Sequence, residues 1–359
     1  MPEYDKYCLY IKELWESRNL TNNGKYLKSL ENKLEDFLNI DDICLIQNGT
    51  LAIMAALKAL NLEENSEIIT TPFSFVATSS SIVWQGFKPV FIDIDPNSYN
   101  IDCKKIEEKI TSKTSAILAV HVFGNPCDVG KIEQIARKYG LNVIYDAAHC
   151  FGVKYKGESI LKWGDISTLS FHATKVFHTI EGGAIYTNNR ELAGKIRNMI
   201  NFGFSSNYEI NDIGFNGKLN EFEAIMGILN LEKINEIIKR RREIYNLYIK
   251  RLQGLDLEFQ KLGIDESEYN YSYFPLLFST NGTREKVFEK LKENGINTRK
   301  YFYPLINEFS YYKKYNNDDT PVALNISERI LTLPLYPELK DYEVEYIAEI
   351  IRKTINDKR

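Results

Sequence analysis

The sequence lacks the closely spaced cysteines of a disulfide framework or a zinc knuckle. Its five cysteines are odd in number and widely separated along 359 residues, and no two form a Cys-x-x-Cys pair. Disulfide scaffolds and structural zinc sites both depend on such spacing. The cysteines therefore favour a reducing compartment, and we expect a cytoplasmic protein.

Long apolar runs and long runs of one charge are also missing. The first 19 residues carry scattered charges and no apolar signal region, and no window approaches the ~20 apolar residues of a membrane span. The 45 basic and 49 acidic residues give a net charge of -4. The basic residues form no long run of the kind that binds a nucleic-acid phosphate backbone. We expect neither a membrane nor a nucleic acid as partner.

The histidines show no metal-binding spacing. None of them forms a His-x-x-x-His or His-Glu-x-x-His pattern, so no metal site is predicted. His121 lies inside an apolar strand and is expected to be a core residue. The other three histidines are His149, His172 and His178.

The pattern of apolar residues predicts an α/β protein. Short apolar runs alternate with helical patterns between residues 67 and 146, which is typical of a mainly parallel sheet covered by helices. A chain of 359 residues is longer than a single hydrophobic core usually organises, so two domains are expected. We predict an N-terminal arm (1–24), a large domain (25–245) and a smaller α+β domain (246–359). A long helix is predicted from Asn220 to about Leu252, and its basic run is expected to be a solvated face.

Lys175 stands out among the lysines because of its surroundings. It follows a predicted strand and precedes the Glu-Gly-Gly tripeptide at 181–183, with Ser170 and His172 nearby. An arbitrary lysine is usually a solvated surface residue. A lysine at a strand end beside two glycines can instead face a ligand, form a Schiff base and act as a proton-transferring base.

Three further segments supply what pyridoxal phosphate (PLP) needs besides a lysine. Asp146 ends an apolar strand and can pair with the ring nitrogen, although it could alternatively cap a helix. The turn at 48–50 opens a helix and can bind the phosphate, to which Ser170 can add a hydroxyl. Phe75 follows another strand and can stack on the ring, although a core position is the alternative.

Several segments together resemble one family. NGTLAIMAAL, TPFSFVATSSSIV, HVFGNPCDV, IYDAAH, SFHATKVFHTIEGGA, FNGKLNEFEAIMG and LPLYPEL are similar, in the same order, to motifs of the DegT/DnrJ/EryC1/StrS nucleotide-sugar aminotransferases. The resemblance runs from Asn22 to about Glu338. It implies a fold-type I PLP-dependent transferase with a mainly parallel central sheet and a smaller α+β C-terminal domain. It also implies a homodimer whose two active sites lie at the subunit interface.

The resemblance implies roles for particular residues. Lys175 matches the Schiff-base lysine, and Asp146 matches the partner of the pyridinium nitrogen. The other matching positions are Gly49, Thr50 and Ser170 in the phosphate cradle, Phe75 on the ring, and Asn216, which reaches the phosphate of the partner subunit.

The chain also departs from the family pattern at three positions. His149 replaces a common glutamine and should lie near the phenolic oxygen of the ring. Ile180 replaces a common glycine, and Lys218 replaces a common arginine. These departures bear on the sugar site, for which we predict His172, Lys218, Arg299 and Tyr301 as candidate substrate-binding residues. The segment from Arg299 to Pro304 could bind the nucleotide diphosphate, or it could equally be a tyrosine-rich loop packed on the domain face.

The resemblance implies transamination in two half-reactions. A lysine at position 175 argues against the dehydratase branch of the family, which has a histidine there. L-glutamate would convert PLP to its pyridoxamine form, which would then aminate a keto-sugar nucleotide. The motif combination is most similar to the branch that makes dTDP-4-amino-4,6-dideoxyglucose from dTDP-4-keto-6-deoxyglucose, a precursor for O-antigen or other surface glycans.

Other interpretations stay open. The substrate could be the dTDP-3-keto isomer, a UDP-4-keto-sugar or a GDP-4-keto-6-deoxy sugar. A PLP enzyme that acts on amino acids, or a regulatory protein that retains the fold without turnover, are the alternatives from other classes.

Overall fold

The computed structural model describes residues 1–205, 207, 209–315 and 319–357. The helices are α1 (Tyr4–Ser17), α2 (Lys25–Leu38), α3 (Gly49–Ala59), α4 (Ala77–Trp84), α5 (Val129–Tyr139), α6 (Arg190–Met199), α7 (Glu221–Glu232), α8 (Ile234–Leu252), α9 (Asn281–Glu293), α10 (Pro321–Arg329) and α11 (Asp341–Asn356). The strands are β1 (Cys44–Ile46), β2 (Glu67–Thr70), β3 (Lys88–Phe91), β4 (Thr114–Val120), β5 (Asn142–Asp146), β6 (Lys154–Tyr155), β7 (Glu158–Ser159), β8 (Ile166–Ser170), β9 (Gly183–Tyr186), β10 (Leu257–Phe259), β11 (Phe274–Phe278) and β12 (Ile330–Leu333).

A seven-stranded sheet forms the centre of the fold, in the order β1-β9-β8-β5-β4-β2-β3. The strands from β8 to β3 pair in parallel, whereas β9 runs antiparallel to both β1 and β8. The central strands β4 and β5 are mostly apolar and almost wholly buried, as expected where helices cover both faces of a parallel sheet. The predicted α/β class with a mainly parallel sheet is confirmed.

Two apolar clusters cover the two faces of this sheet. One packs α2 and α7 against it through residues such as Leu30, Leu34 and Ile225. The other packs α3 and α6 through residues such as Ile53 and Ile196. The carboxyl ends of the parallel strands are thereby held at one edge, where ligands of α/β proteins bind.

The C-terminal part of the chain has its own sheet and its own apolar cluster. Strands β10, β11 and β12 form an antiparallel sheet on which α8, α9 and α11 pack. The predicted domain boundary at residue 245 falls within α8, so this helix contributes to both sides of it. The division into an arm and two domains stays a prediction.

One predicted element differs from the structure. The helix predicted from Asn220 to Leu252 is two helices, because α7 ends at Glu232 and α8 begins at Ile234. Lys233 lies between them with φ −106° and ψ 3°, outside the helical region. Both segments have helical periodicity, so the sequence pattern does not reveal the break.

None of the helices in the described ranges combines the length and apolar character that a membrane span requires. Within the same ranges, no group of His, Cys, Asp and Glu side chains is arranged to hold a metal ion. All five cysteines are free thiols, and Cys8 is the exposed one.

Candidate active site

A cavity of about 220 Å³ lies at the carboxyl edge of the central sheet. Segments that follow β1, β2, β5 and β8 form most of its wall, and residues from the C-terminal part close it. The predicted site residues on this wall are Gly49, Thr50, Phe75, Asp146, His149, Ser170, His172, Lys175, Arg299 and Tyr301. The fold thus brings distant segments together, and the roles predicted for these residues remain proposals.

Asp146 is the buried acid of the cavity. Its Oδ2 accepts a hydrogen bond from Thr78 Oγ1 at 2.8 Å, and its Oδ1 accepts one from the Ala148 amide at 3.1 Å. Burial raises the pKa of this carboxyl, while the two hydrogen bonds and the charge of Lys175 lower it. No regular helix begins directly after Asp146, so the alternative prediction of a helix cap is wrong.

Lys175 follows β8, and its backbone amide donates to the carbonyl of His172 at 2.9 Å. Its Nζ lies 5.9 Å from the centre of the Tyr273 ring. Burial lowers the pKa of this amine, and the negative charge of Asp146 raises it. The neutral amine is therefore available at a lower pH than that of a solvated lysine.

The start of α3 forms an anion cradle. Asn48 caps the helix by accepting a hydrogen bond from the Leu51 amide at 2.9 Å. The amides of Gly49 and Thr50 belong to the first turn, where no acceptor exists within a helix. A Cβ at Gly49 would lie 2.9 Å from Ser170 Cβ, closer than real contacts allow. The turn and the serine therefore fit a phosphate group.

Phe75 stands on the cavity wall with 58% of its surface exposed. It follows β2 and precedes α4, which places a flat apolar face beside the cradle. The alternative prediction of a core position for this side chain is therefore wrong. An exposed aromatic ring at a cavity is suited to stack on the ring of a ligand.

His149 is buried, and its position fixes its protonation state. Its Nδ1 accepts a hydrogen bond from the Phe123 amide at 3.1 Å, so the proton of the neutral ring lies on Nε2. Burial lowers the pKa of the imidazole well below its ordinary value. The ring lies parallel to that of Phe302, with centroids 6.4 Å apart. It presents a neutral N–H donor, which fits an oxygen acceptor on the cofactor ring.

His172 belongs to a polar chain beside Lys175. Its Nδ1 lies 2.8 Å from Thr174 Oγ1, and its Nε2 lies 3.5 Å from Glu181 Oε1. Glu181 and Thr174 also line the cavity. Neither residue is among the site residues predicted from the sequence, although Glu181 lies in the Glu-Gly-Gly motif at 181–183.

Arg299 and Tyr301 enter the wall from the C-terminal part. Arg299 Nη1 donates to the Tyr301 hydroxyl at 2.6 Å, and its guanidinium lies 5.4 Å from that ring centre. The neighbouring Phe302 is buried against Phe73, edge to face, with centroids 5.5 Å apart. The segment is therefore a packed aromatic loop that also lines the cavity. Substrate binding by Arg299 and Tyr301 stays a prediction.

Tyr273 is a cavity residue that sequence reasoning missed. It precedes β11, and its ring centre lies 4.8 Å from that of His149. The only signal in the sequence was an aromatic side chain at the start of a strand. Hydrogen bonds from the side chains of Asn270 and Ser272 to the carbonyl of His149 join the segment before β11 to the site and bring Tyr273 there.

Asn216 and Lys218 lie outside this cavity. Lys218 Nζ donates to Asn216 Oδ1 and to Asn201 Oδ1, both at 2.9 Å. Burial lowers the pKa of this amine. Asn216 lies away from the cavity of its own chain, which is compatible with a contact to the phosphate in another subunit. That contact stays a prediction.

The central sheet, with a lysine and an aspartate facing an anion cradle at its carboxyl edge, has the features of a PLP-dependent transferase. Residues 5–352 match the model of the DegT/DnrJ/EryC1/StrS aminotransferase family, and the chain belongs to this family. The match extends beyond both ends of the motifs recognised in the sequence.

Relatives and solved structures agree with this assignment. The chain is 43% identical over 356 residues to a dTDP-4-amino-4,6-dideoxy-D-glucose transaminase of Shigella dysenteriae, covering 98% of this chain and 96% of that protein. DesI, solved in the presence of its TDP-sugar product, has a TM-score of 0.93 and 29% identity over 100% of this chain and 92% of its own. NtdA of Bacillus subtilis, solved with its bound cofactor PMP, has a TM-score of 0.91 and 30% identity. The match covers 98% of this chain and 82% of the NtdA chain.

These findings confirm the family, the fold class and the enzyme class predicted from the sequence. They also confirm that the chain belongs among aminotransferases whose cofactor is PLP.

Proposed function

We propose that this protein transfers the amino group of L-glutamate to dTDP-4-dehydro-6-deoxy-D-glucose, giving dTDP-4-amino-4,6-dideoxy-D-glucose. The name of the Shigella relative and the TDP-sugar product bound to DesI support this substrate. The observation that carries the proposal is that Lys175 and Asp146 face one cavity with the cradle at Gly49. We place the reaction in the cytoplasm and its product in surface-glycan synthesis, such as that of the O-antigen of lipopolysaccharide.

The cavity residues fit PLP. Gly49, Thr50 and Ser170 would hold the phosphate, Asp146 would pair with the ring nitrogen, and Phe75 would cover one face of the ring. When bound, PLP supplies an aldehyde that takes up the amino group and a ring that withdraws electrons from the substrate carbon.

Lys175 is the proton carrier of the proposed reaction. Its lowered pKa provides a neutral amine, which can accept a proton from the carbon that bears the amino group and return it to a neighbouring atom. The negative charge of Asp146 raises the pKa of this amine and so opposes full loss of the lysine proton. His149 stays neutral and donates from Nε2, which orients a ring oxygen without adding a second positive charge.

We further propose a homodimer with active sites shared between subunits. Large apolar side chains are exposed near the cavity, as at Phe75 (58%) and Ile180 (45%), and elsewhere at Trp84 (80%) and Ile213 (76%). Exposure of several large apolar side chains supports a subunit interface. The position of Asn216 outside its own cavity supports an action across that interface.

A panel of substrates tests the proposed function. Purified protein with PLP and L-glutamate would be offered dTDP-, UDP- and GDP-linked keto-sugars, and products would be identified by mass and NMR. We expect amination of the dTDP-4-keto-6-deoxy sugar at C4. If only a UDP- or GDP-linked sugar reacted, the proposed substrate would be wrong. If only a ketone without a sugar reacted, the result would favour a PLP enzyme that acts on amino acids.

Replacing Lys175 tests the catalytic centre. We expect Lys175→Ala to lower both half-reactions by about 10²- to 10⁴-fold, because the proton carrier is lost. The readout is the conversion of bound PLP to its pyridoxamine form by glutamate, followed by absorbance. Lys104→Ala, at an exposed lysine away from the cavity, should behave as wild type. Wild-type turnover by Lys175→Ala would contradict the mechanism, and no conversion by the wild type would favour a regulatory protein.

A further inference from the structure

A second cavity of about 820 Å³ adjoins the first one. We call it the outer chamber. The two cavities share Thr174, Lys175, Tyr273 and Arg299 on their walls. Most of the remaining wall comes from the end of α7, the first half of α8, and the segment from Thr332 to Glu338. A ligand in the outer chamber can therefore extend to Lys175.

Arg241, on α8, is buried in the wall of the outer chamber with 5% of its surface exposed. Its Nε donates to the carbonyl of Tyr271 at 2.9 Å, and its Nη2 donates to that of Ser272 at 2.7 Å. Within the described part of the chain, no carboxylate lies at ion-pair distance from it. Burial lowers the pKa of Arg241 to about 10, so the side chain is still a cation at neutral pH.

A buried cation without a countercharge is costly, because carbonyl dipoles replace only part of its hydration. Most other cations of the chamber wall are compensated. Lys233 pairs with Glu3 at 2.9 Å, Arg240 pairs with Asp341 at 2.7 Å, and the terminal ammonium of Met1 lies 3.5 Å from Glu338.

Arg299 is the second cation of the wall without a carboxylate. Its guanidinium donates a hydrogen bond to the hydroxyl of Tyr301, and no ion pair joins it to the described acidic residues. Arg241 and Arg299 thus give the outer chamber a positive charge that nothing in the described ranges neutralises. This charge predicts an anionic ligand, since guanidinium groups bind phosphate oxygens in a bidentate manner.

We propose that the outer chamber binds the diphosphate of the nucleotide sugar, with Arg241 and Arg299 as its cationic partners. This inference rests on the proposed function. The volume supports the nucleotide over the amino donor, since about 820 Å³ lies in the range of pockets for large ligands, whereas a dicarboxylate amino acid needs far less space. The sugar would then reach Lys175 through the shared wall.

Binding of dTDP to the PLP-loaded enzyme tests the chamber by calorimetry. We expect Arg299→Gln and Arg241→Lys each to weaken dTDP binding by about 10- to 100-fold, because a charge-assisted hydrogen bond is lost or distorted. In both variants the glutamate half-reaction should be slowed by a smaller factor than the factor by which dTDP binding is weakened. The matched control is Arg242→Gln, because Arg242 follows Arg241 on α8 but is no part of the chamber wall.

Two results would overturn the inference. One is wild-type dTDP affinity in both variants. The other is a slowed glutamate half-reaction with unchanged dTDP affinity, which would assign the two cations to the carboxylates of the amino donor. If Arg241→Lys does not fold, Arg299→Gln decides alone, since Arg299 is an exposed residue. Failure of the proposed function looks different: the wild type would run the glutamate half-reaction but bind none of dTDP, UDP and GDP.

Discussion

At the scale of single residues, Asp146 and Lys175 each affect the protonation of the other. Burial alone raises the pKa of the carboxyl and lowers the pKa of the amine, so it favours the neutral form of both. The charge of each residue acts in the opposite direction on its neighbour. Hydrogen bonds from Thr78 and from the Ala148 amide further favour the charged carboxylate.

Replacing the acid should separate these effects. We expect Asp146→Asn to slow the glutamate half-reaction by about 10²-fold or more, because an amide cannot hold the ring nitrogen protonated. The pKa of Lys175 should fall further, since the attractive charge is removed, so loss of neutral amine cannot explain the decrease. Measuring the half-reaction against pH tests both points.

Thr78→Val is the matched variant for Asp146, because it keeps the carboxylate and removes one donor. The hydrogen bond from Thr78 lowers the pKa of Asp146, so its loss should raise that pKa. The acidic limb of the pH profile should therefore move to higher pH while the maximal rate stays close to wild type. A wild-type rate for Asp146→Asn would refute the role of this residue.

Ile180 is a strained residue at the rim of the site. Its φ is +77°, a conformation that β-branched side chains rarely adopt. We expect Ile180→Gly to raise the free energy of unfolding by about 1 kcal/mol, because the clash of Cβ with the backbone disappears. Urea unfolding at fixed protein concentration measures this. Ile180→Ala keeps the Cβ and should gain less; a destabilised glycine variant would contradict the prediction.

At the scale of elements, α2 is capped by a residue from another helix. Gly24 at its N-cap position has no side chain, and Glu221 of α7 accepts hydrogen bonds from the amides of Tyr26 (2.7 Å) and Leu27 (3.2 Å). A Cβ at Gly24 would lie 2.6 Å from the Glu221 carboxyl carbon, so the glycine admits this cap. The buried carboxylate also faces the positive end of the α2 dipole.

Removing this cap should weaken the large domain. We expect Glu221→Ala to lower the free energy of unfolding by about 2–3 kcal/mol, because two amides lose their acceptor. Glu232→Ala, on the same helix, removes only a partly exposed ion pair with Lys6 and should cost about 1 kcal/mol or less. Denaturant unfolding of both variants tests the difference. Equal stabilities would show that the cap is dispensable.

At the scale of the whole molecule, the proposed dimer makes a prediction about mixed subunits. Lys175→Ala and Asn216→Ala should each be impaired alone. If Asn216 acts on the phosphate of the partner, a dimer with one subunit of each variant has one intact site and one site with both defects. Such heterodimers should recover about half of the wild-type activity.

Mixing the two variants after unfolding and refolding, with separable tags, gives the heterodimer for assay. No recovery would mean that Asn216 serves its own chain or no site at all. A monomer by light scattering would remove the basis of the experiment and contradict the shared active site.

The sequence alone determined which candidate site residues lie at the ends of strands. Asp146 and Lys175 each end or follow a strand of a parallel sheet, and all such strands expose their carboxyl ends at one edge. Local periodicity fixes the strands, and the sheet fixes the edge, so the lysine, the acid and the cradle were predictable. Their order along the chain also sufficed to identify the family.

Only the tertiary structure decided what depends on packing between distant parts of the chain. Tyr273 reaches the cavity because the segment before β11 is hydrogen-bonded to the loop that follows β5, and the break at Lys233 lies within a continuous helical pattern. The basic run of α8 was predicted as a solvated face, but Arg241 in it is buried and held by two backbone carbonyls. Charge alone cannot distinguish a solvated arginine from a buried one, because burial is set by residues about 30 positions away in sequence.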